Sequence, residues 1–194
     1  MSVEINPRRL IGPWDDGYAL DWHTLSSVPI GHGPGGHLMF DTKRPPVGQL
    51  LYELKYRHNQ KAVGVLAETA AQFLKNRWQV SIDAIVPVPP SNVRALQPVA
   101  AVAEALAAVL GVPVCAGCLA KVKQTPQLKD MKDYDKRREA LTGAFTVDPK
   151  LTAGQRLLVF DDLHGSGATV AHIVEVLKNS GQAKAVYLLT LTTK

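Results

Sequence analysis

From Pro46 onward the apolar residues fall into two alternating kinds of spacing. Val47, Leu50, Leu51, Leu54 and Tyr56 recur at helical intervals behind a proline suited to a first turn, which predicts a helix from Pro46. Leu66, Ala70, Phe73, Leu74 and Trp78 repeat that period and predict a second helix over 63–78. Residues 82–88 (IDAIVPV) form instead a short apolar run bounded by Pro89 and Pro90, and read as a strand. An alanine-rich helix is expected from about Pro98 to Leu110, with Gly111 as its C-cap and a short strand at 112–115. Leu157 to Phe160 is a second buried-strand run, ending at Asp161 and Asp162. Gly165 to Ala168 then turns the chain into a helix starting near Thr169. Strands alternating with helices predict an α/β fold around a parallel sheet flanked by helices.

Two stretches break the pattern. Residues 1–45 are irregular, with weak alternation over Tyr18 to Leu20, Trp22 and Leu25 suggesting a short hairpin, and Gly31 to Gly36 (GHGPGG) reading as a loop. The expected division is an irregular N-terminal segment, 1–45, followed by one α/β domain, 46–194. The stretch from Leu119 to Ala144 carries Lys121, Lys123, Lys129, Lys132, Lys136, Arg137 and Arg138 among four carboxylates and has few apolar residues. Such a composition suits a solvated excursion, and equally a lid that closes over a site. Phe145 to Val147 resumes apolar character.

The 194 residues suffice for one sizeable core, and 46% apolar with 20% charged residues is an ordinary globular balance. No run approaches the length of a membrane span, and the opening MSVEINPRRL lacks the apolar core of a signal peptide, so a cytoplasmic location is expected. Cys115 and Cys118 form a single C-x-x-C with no second pair to complete a zinc site, and read as two small core residues. His23, His32 and His37 match no ligand spacing and read as surface histidines. The formal charge of +5 favours anionic ligands and permits nucleic acid. Aromatic residues are only 6%, with Tyr134 alone in the basic stretch, which gives no base-stacking platform. The cluster Lys55, Arg57, His58 and Lys61 suits a helix C-terminus and suits the mouth of an anion site equally well.

Candidate chemistry concentrates in residues 156–170, RLLVFDDLHGSGATV. Two carboxylates at a strand end accept hydrogen bonds from hydroxyls or hold a hydrated divalent cation. A glycine turn feeding a helix offers free N–H groups and the positive end of the helix dipole to a phosphate. A ligand with a diol at one end and a phosphate at the other satisfies both, and a ribose 5-phosphate is such a ligand.

These residues resemble the signature of the type I phosphoribosyltransferases, which bind phosphoribosyl pyrophosphate (PRPP). The matching positions are Val159 and Phe160, then Asp161 and Asp162, then Ser166, Gly167, Ala168 and Thr169, with serine at Ser166 where the family usually has threonine. From about Leu51 onward the chain resembles the ComF-type branch, through LKYRHNQKA at 54–62, IVPVPPSNVR at 85–94, and KQTPQLKDMKDYDKRREALTGAF at 123–145. It departs from that branch in having no N-terminal zinc ribbon and a shorter loop after Pro90. The resemblance implies a parallel sheet with a small N-terminal hood, and transfer of a 5-phosphoribosyl group to a small-molecule acceptor with release of pyrophosphate. By resemblance Asp161 and Asp162 are the catalytic and Mg²⁺-associated pair and hold the ribose hydroxyls. Gly165, Ser166, Gly167, Ala168 and Thr169 hold the 5-phosphate. Val88, Pro89, Pro90, Ser91 and Arg94 take the pyrophosphate, and Lys123, Arg137 and Arg138 belong to the lid. Relatives are commonly dimers, which admits a homodimer and leaves the oligomeric state open. Such folds also serve as regulators, so a non-catalytic nucleotide-binding or competence (DNA uptake)-associated role stands as the alternative.

Overall fold

The computed structural model describes residues 1–90, 97–123 and 134–194. In chain order the elements begin with β1 (Arg8–Arg9), β2 (Asp16–Trp22), β3 (Ser26–His32), β4 (Leu38–Lys43), α1 (Pro46–Tyr56) and α2 (Lys61–Phe73). After one π-helical turn, Leu74–Trp78, come β5 (Ala84–Pro87), α3 (Pro98–Leu110), β6 (Leu119–Lys121), α4 (Tyr134–Leu141) and β7 (Phe145–Val147). The chain finishes with α5 (Pro149–Thr152), β8 (Arg156–His164), α6 (Ala168–Asn179) and β9 (Ala185–Thr193).

The central sheet has the order β1-β2-β9-β8-β5, and all its neighbours are parallel except β1 on β2. The unbroken apolar run of β8 has a physical cause, because both of its faces are covered. Leu157 and Val159 pack with Ile173, Val174 and Leu177 of α6 on one face. Leu158 and Phe160 pack on the other face with Leu51 and Leu54 of α1, Leu66 and Ala70 of α2, and Val102 and Leu106 of α3. At the opposite edge of the sheet from the glycine turn, Asp83 receives the backbone N–H of Arg156 at 2.8 Å and two guanidinium bonds at 3.0 and 2.6 Å. That fork ties the start of β5 to the start of β8.

The α/β architecture, with a mostly parallel sheet flanked by helices, agrees with expectation, and the four long helices α1, α2, α3 and α6 begin within two residues of their predicted starts. Several local expectations give way. The N-terminal residues carry strands: β2 pairs antiparallel with the two-residue β1 and, on its other side, lies parallel to β9 inside the central sheet. The separate hairpin is β3–β4, which runs through Gly31, where a register shift and a φ of 117° mark a bulge. The chain end is β9, a central strand. Among the described residues, 112–115 make a single isolated bridge, Ile85 to Val114, in place of the expected short strand. In the polar stretch after Cys118, Leu119, Leu141 and Ala144 are buried, so its ends are anchored in the core through the β6–β7 ribbon. Cys118 is buried as expected and is joined to Cys115 by a disulfide, which spacing alone did not assign. Among the described residues no helix is long and apolar enough to cross a membrane.

Candidate functional site

Parallel strands leave their C-terminal ends at one edge, where ligands of α/β sheets bind. At this edge β8 does not stop at Phe160. It stays paired to β9 through Asp161, Leu163 and His164, opposite Thr190, Thr192 and Thr193. Both aspartates therefore lie within a strand, and strand alternation separates their side chains. Asp161 takes the face of Leu157 and Val159, toward α6. Asp162 takes the face of Leu158 and Phe160, toward α1.

Asp161 lines a cleft of about 380 Å³ together with Leu163, His164, Gly165, Ser166, Gly167, Ala168, Thr169, Val170 and Lys194. The glycine turn is built for that position. Gly167, with φ 74°, is the N-cap of α6, and a Cβ there would lie 2.8 Å from His164 Nε2. The left-handed backbone strains any larger residue there, and a Cβ would force the His164 ring to shift. Gly167 has no side chain with which to cap α6, and among the described residues no other side chain caps it, so the first-turn N–H groups carry the positive end of the dipole without an intrahelical partner. His164 sits edge-on to Trp14 with ring centroids 5.9 Å apart, and burial pushes its pKa down. Its Nε2 is buried without a hydrogen-bond partner.

Asp162 has a different neighbour. Lys55 Nζ, from the last turn of α1, meets its carboxylate at 2.7 Å, with the two side chains only 15% and 17% exposed. The Asp162 N–H donates to Asp161 Oδ1 at 2.8 Å. Burial raises the pKa of Asp161 well above the usual carboxylate range, and the Asp162 charge adds to that rise. The hydrogen bond from Asp162 and the Lys55 charge act the other way without overcoming it. The Asp162 carbonyl accepts the Thr192 hydroxyl at 2.9 Å, and His23 Nδ1 lies 3.1 Å from the same Thr192 oxygen. Since the hydroxyl proton goes to Asp162, His23 donates from Nδ1 and keeps Nε2 as its acceptor. Burial pushes the His23 pKa down, helped by the Lys55 and Arg44 charges.

The structure thus brings Asp161 and Gly165 to Thr169 together in one cleft and leaves Asp162 out of its lining, held by Lys55. Val88 directly follows β5, but its N–H donates to the Phe160 carbonyl at 2.9 Å. Pro89 and Pro90 have no N–H, so none of these three offers a free backbone donor to an anion. Lys123 is exposed. Ser91 and Arg94 lie outside the described residues, as do the side chains of Arg137 and Arg138. Of the basic cluster, Lys55 reaches the site while Arg57, His58 and Lys61 are exposed. His23 is a correction: it is half-buried against Thr192 and is not a free surface histidine. Nothing local to His23 signalled this, because Thr192 is 169 residues away. Lys55 was accessible to inspection, since it follows Leu51 by one turn on the buried side of α1. Among the described residues, no group of three or more His, Cys, Asp or Glu is placed to hold a metal.

No protein-family model matches the sequence, and no curated protein matches it. Solved structures similar to the chain include UMP synthase from Leishmania donovani, at 15% identity and a TM-score of 0.41, over 86% of this chain and 27% of that one. The glutamine PRPP amidotransferase from B. subtilis aligns at 16% identity and a TM-score of 0.49, over 78% of this chain and 34% of that one. Adenine phosphoribosyltransferase from Trypanosoma brucei aligns at 10% identity and a TM-score of 0.49, over 98% and 87% of the respective chains. The chain therefore spans about a third or less of the first two. Identities this low, at TM-scores below 0.5, identify no activity for this chain.

Proposed function

We propose that the chain is a PRPP-binding phosphoribosyltransferase of the ComF-type branch, transferring a 5-phosphoribosyl group to a small acceptor and releasing pyrophosphate. One observation carries this reading: Asp161 and the uncapped N-terminus of α6 line the same cleft, a hydroxyl acceptor beside an anion site. In this reading the first-turn N–H groups of α6, with Ser166 and Thr169, hold the 5-phosphate. Asp161 accepts from the ribose hydroxyls, and Asp162 sets its position through the 2.8 Å backbone bond. Catalysis then consists of holding donor and acceptor aligned while charge builds on the departing pyrophosphate. Mg²⁺ fits these residues only in a shared site, since one or two carboxylates with ligand phosphates and water suffice for it. When bound, it would offset the pyrophosphate charge.

Titration calorimetry with PRPP and Mg²⁺ tests the donor site. The wild type is expected to bind, and the Asp161→Asn/Asp162→Asn variant to lose most of that affinity. A wild type that does not bind PRPP sinks the reading. Pyrophosphate release on adding acceptors separates a transferase from a protein that only binds.

A further inference from the structure

The cations beside Asp162 outnumber the anions they face. Arg44, just before α1, folds its guanidinium over the Tyr52 ring, 4.2 Å from the centroid. Gly48, four residues on, is closed against the end of β2, since a Cβ there would lie 2.7 Å from the His23 carbonyl oxygen. Lys55 completes the row at Asp162. Arg44, Gly48, Tyr52 and Lys55 thus form one stripe facing the C-terminal ends of β2 and β8.

The charges on this stripe do not balance. Lys55 is matched by Asp162, and His23, its pKa pushed down, is neutral at pH 7. Arg44 has no carboxylate partner among the described residues, and its Nε is buried without a hydrogen bond. A buried guanidinium N–H without an acceptor is costly, and its fork matches a carboxylate or phosphate. Position narrows the role of the missing anion. The stripe runs from the end of β2 to Asp162 of β8, and β5, whose following loop takes the pyrophosphate by the resemblance, lies on the far side of β8.

We infer that Arg44, with Lys55 and His23 beside it, forms the acceptor subsite, and that the acceptor carries an oxyanion, a carboxylate or a phosphate. This rests on the PRPP reading above. The test uses the full chain with benzoate, the neutral isostere benzamide, and PRPP with Mg²⁺ as separate calorimetric titrants. Benzoate is expected to bind about ten-fold tighter than benzamide. Arg44→Gln should weaken benzoate about ten-fold, and Arg44→Lys less, while PRPP affinity stays within about two-fold. Equal binding of benzoate and benzamide overturns the proposal, as does benzoate affinity unchanged in Arg44→Gln. Arg44→Gln weakening PRPP as strongly as benzoate also overturns it, by moving the stripe to the pyrophosphate. A wild type that binds benzoate but not PRPP removes the donor reading, and the acceptor role with it. If Arg44→Gln proves unfolded by circular dichroism, Arg44→Lys and the benzoate–benzamide contrast decide.

Discussion

Asp161 is held in a state that serves a ligand better than it serves folding. Burial, and then the charge of Asp162, raise its pKa in the folded chain above 3.8. A carboxyl with a raised folded pKa binds its proton more tightly folded than unfolded. Its contribution is therefore most favourable below 3.8 and declines as pH rises toward the folded value. Asp161→Asn should raise the Tm by a few degrees at pH 7, with the gain fading near pH 4, while PRPP affinity falls. Thermal melts at the two pH values, beside one titration, check this. A variant less stable at pH 7 would show that the hydrogen bond from Asp162 outweighs burial. That these acids matter was legible from their place after an apolar run. Their divergence was not, because it depends on β8 remaining a strand through His164.

At the scale of elements, two polar ties fix how β8 sits among its neighbours. Lys55 joins its C-terminal half to α1, and Arg156 joins its first residue to Asp83 before β5. Asp83 has its pKa lowered to about 2, chiefly by the Arg156 side chain and then by its backbone N–H. The stability this supplies is fully present above 3.8 and is lost as pH falls through about 2. Asp83→Asn should lower the Tm by a few degrees at pH 7, the difference from wild type closing toward pH 2; melts across that range decide it. An unchanged Tm at pH 7 would mean that the exposed pair is fully screened. The helices were readable because their period is local: Leu66, Ala70, Phe73 and Leu74 are buried as their spacing predicts. The strands at the two chain ends were not. Tyr18 to Trp22 and Ala185 to Thr193 are central only because each pairs with a strand far away in sequence.

For the whole molecule, the proposed donor site has a consequence for stability. A ligand that binds only the folded state at about 100 times its Kd adds about 2.7 kcal/mol, which for a chain this size raises the Tm by about 5–10 °C. Differential scanning calorimetry with PRPP and Mg²⁺ should show that rise for the wild type and a much smaller one for Asp161→Asn. Equal shifts would remove Asp161 from the donor site. The sequence by itself determined the alternation of strands and helices, the glycine turn after β8, and the pairing of carboxylates with a helix start. Each of these is written in neighbouring residues, where period, φ preference and helix dipole act. Only the tertiary structure decided that Asp162 belongs to Lys55, that His23 and Arg44 stand beside them, and that Val88 has no free N–H to offer. Those facts depend on register and on which strands lie side by side, and a shift of one residue in β8 would exchange the two aspartates between faces.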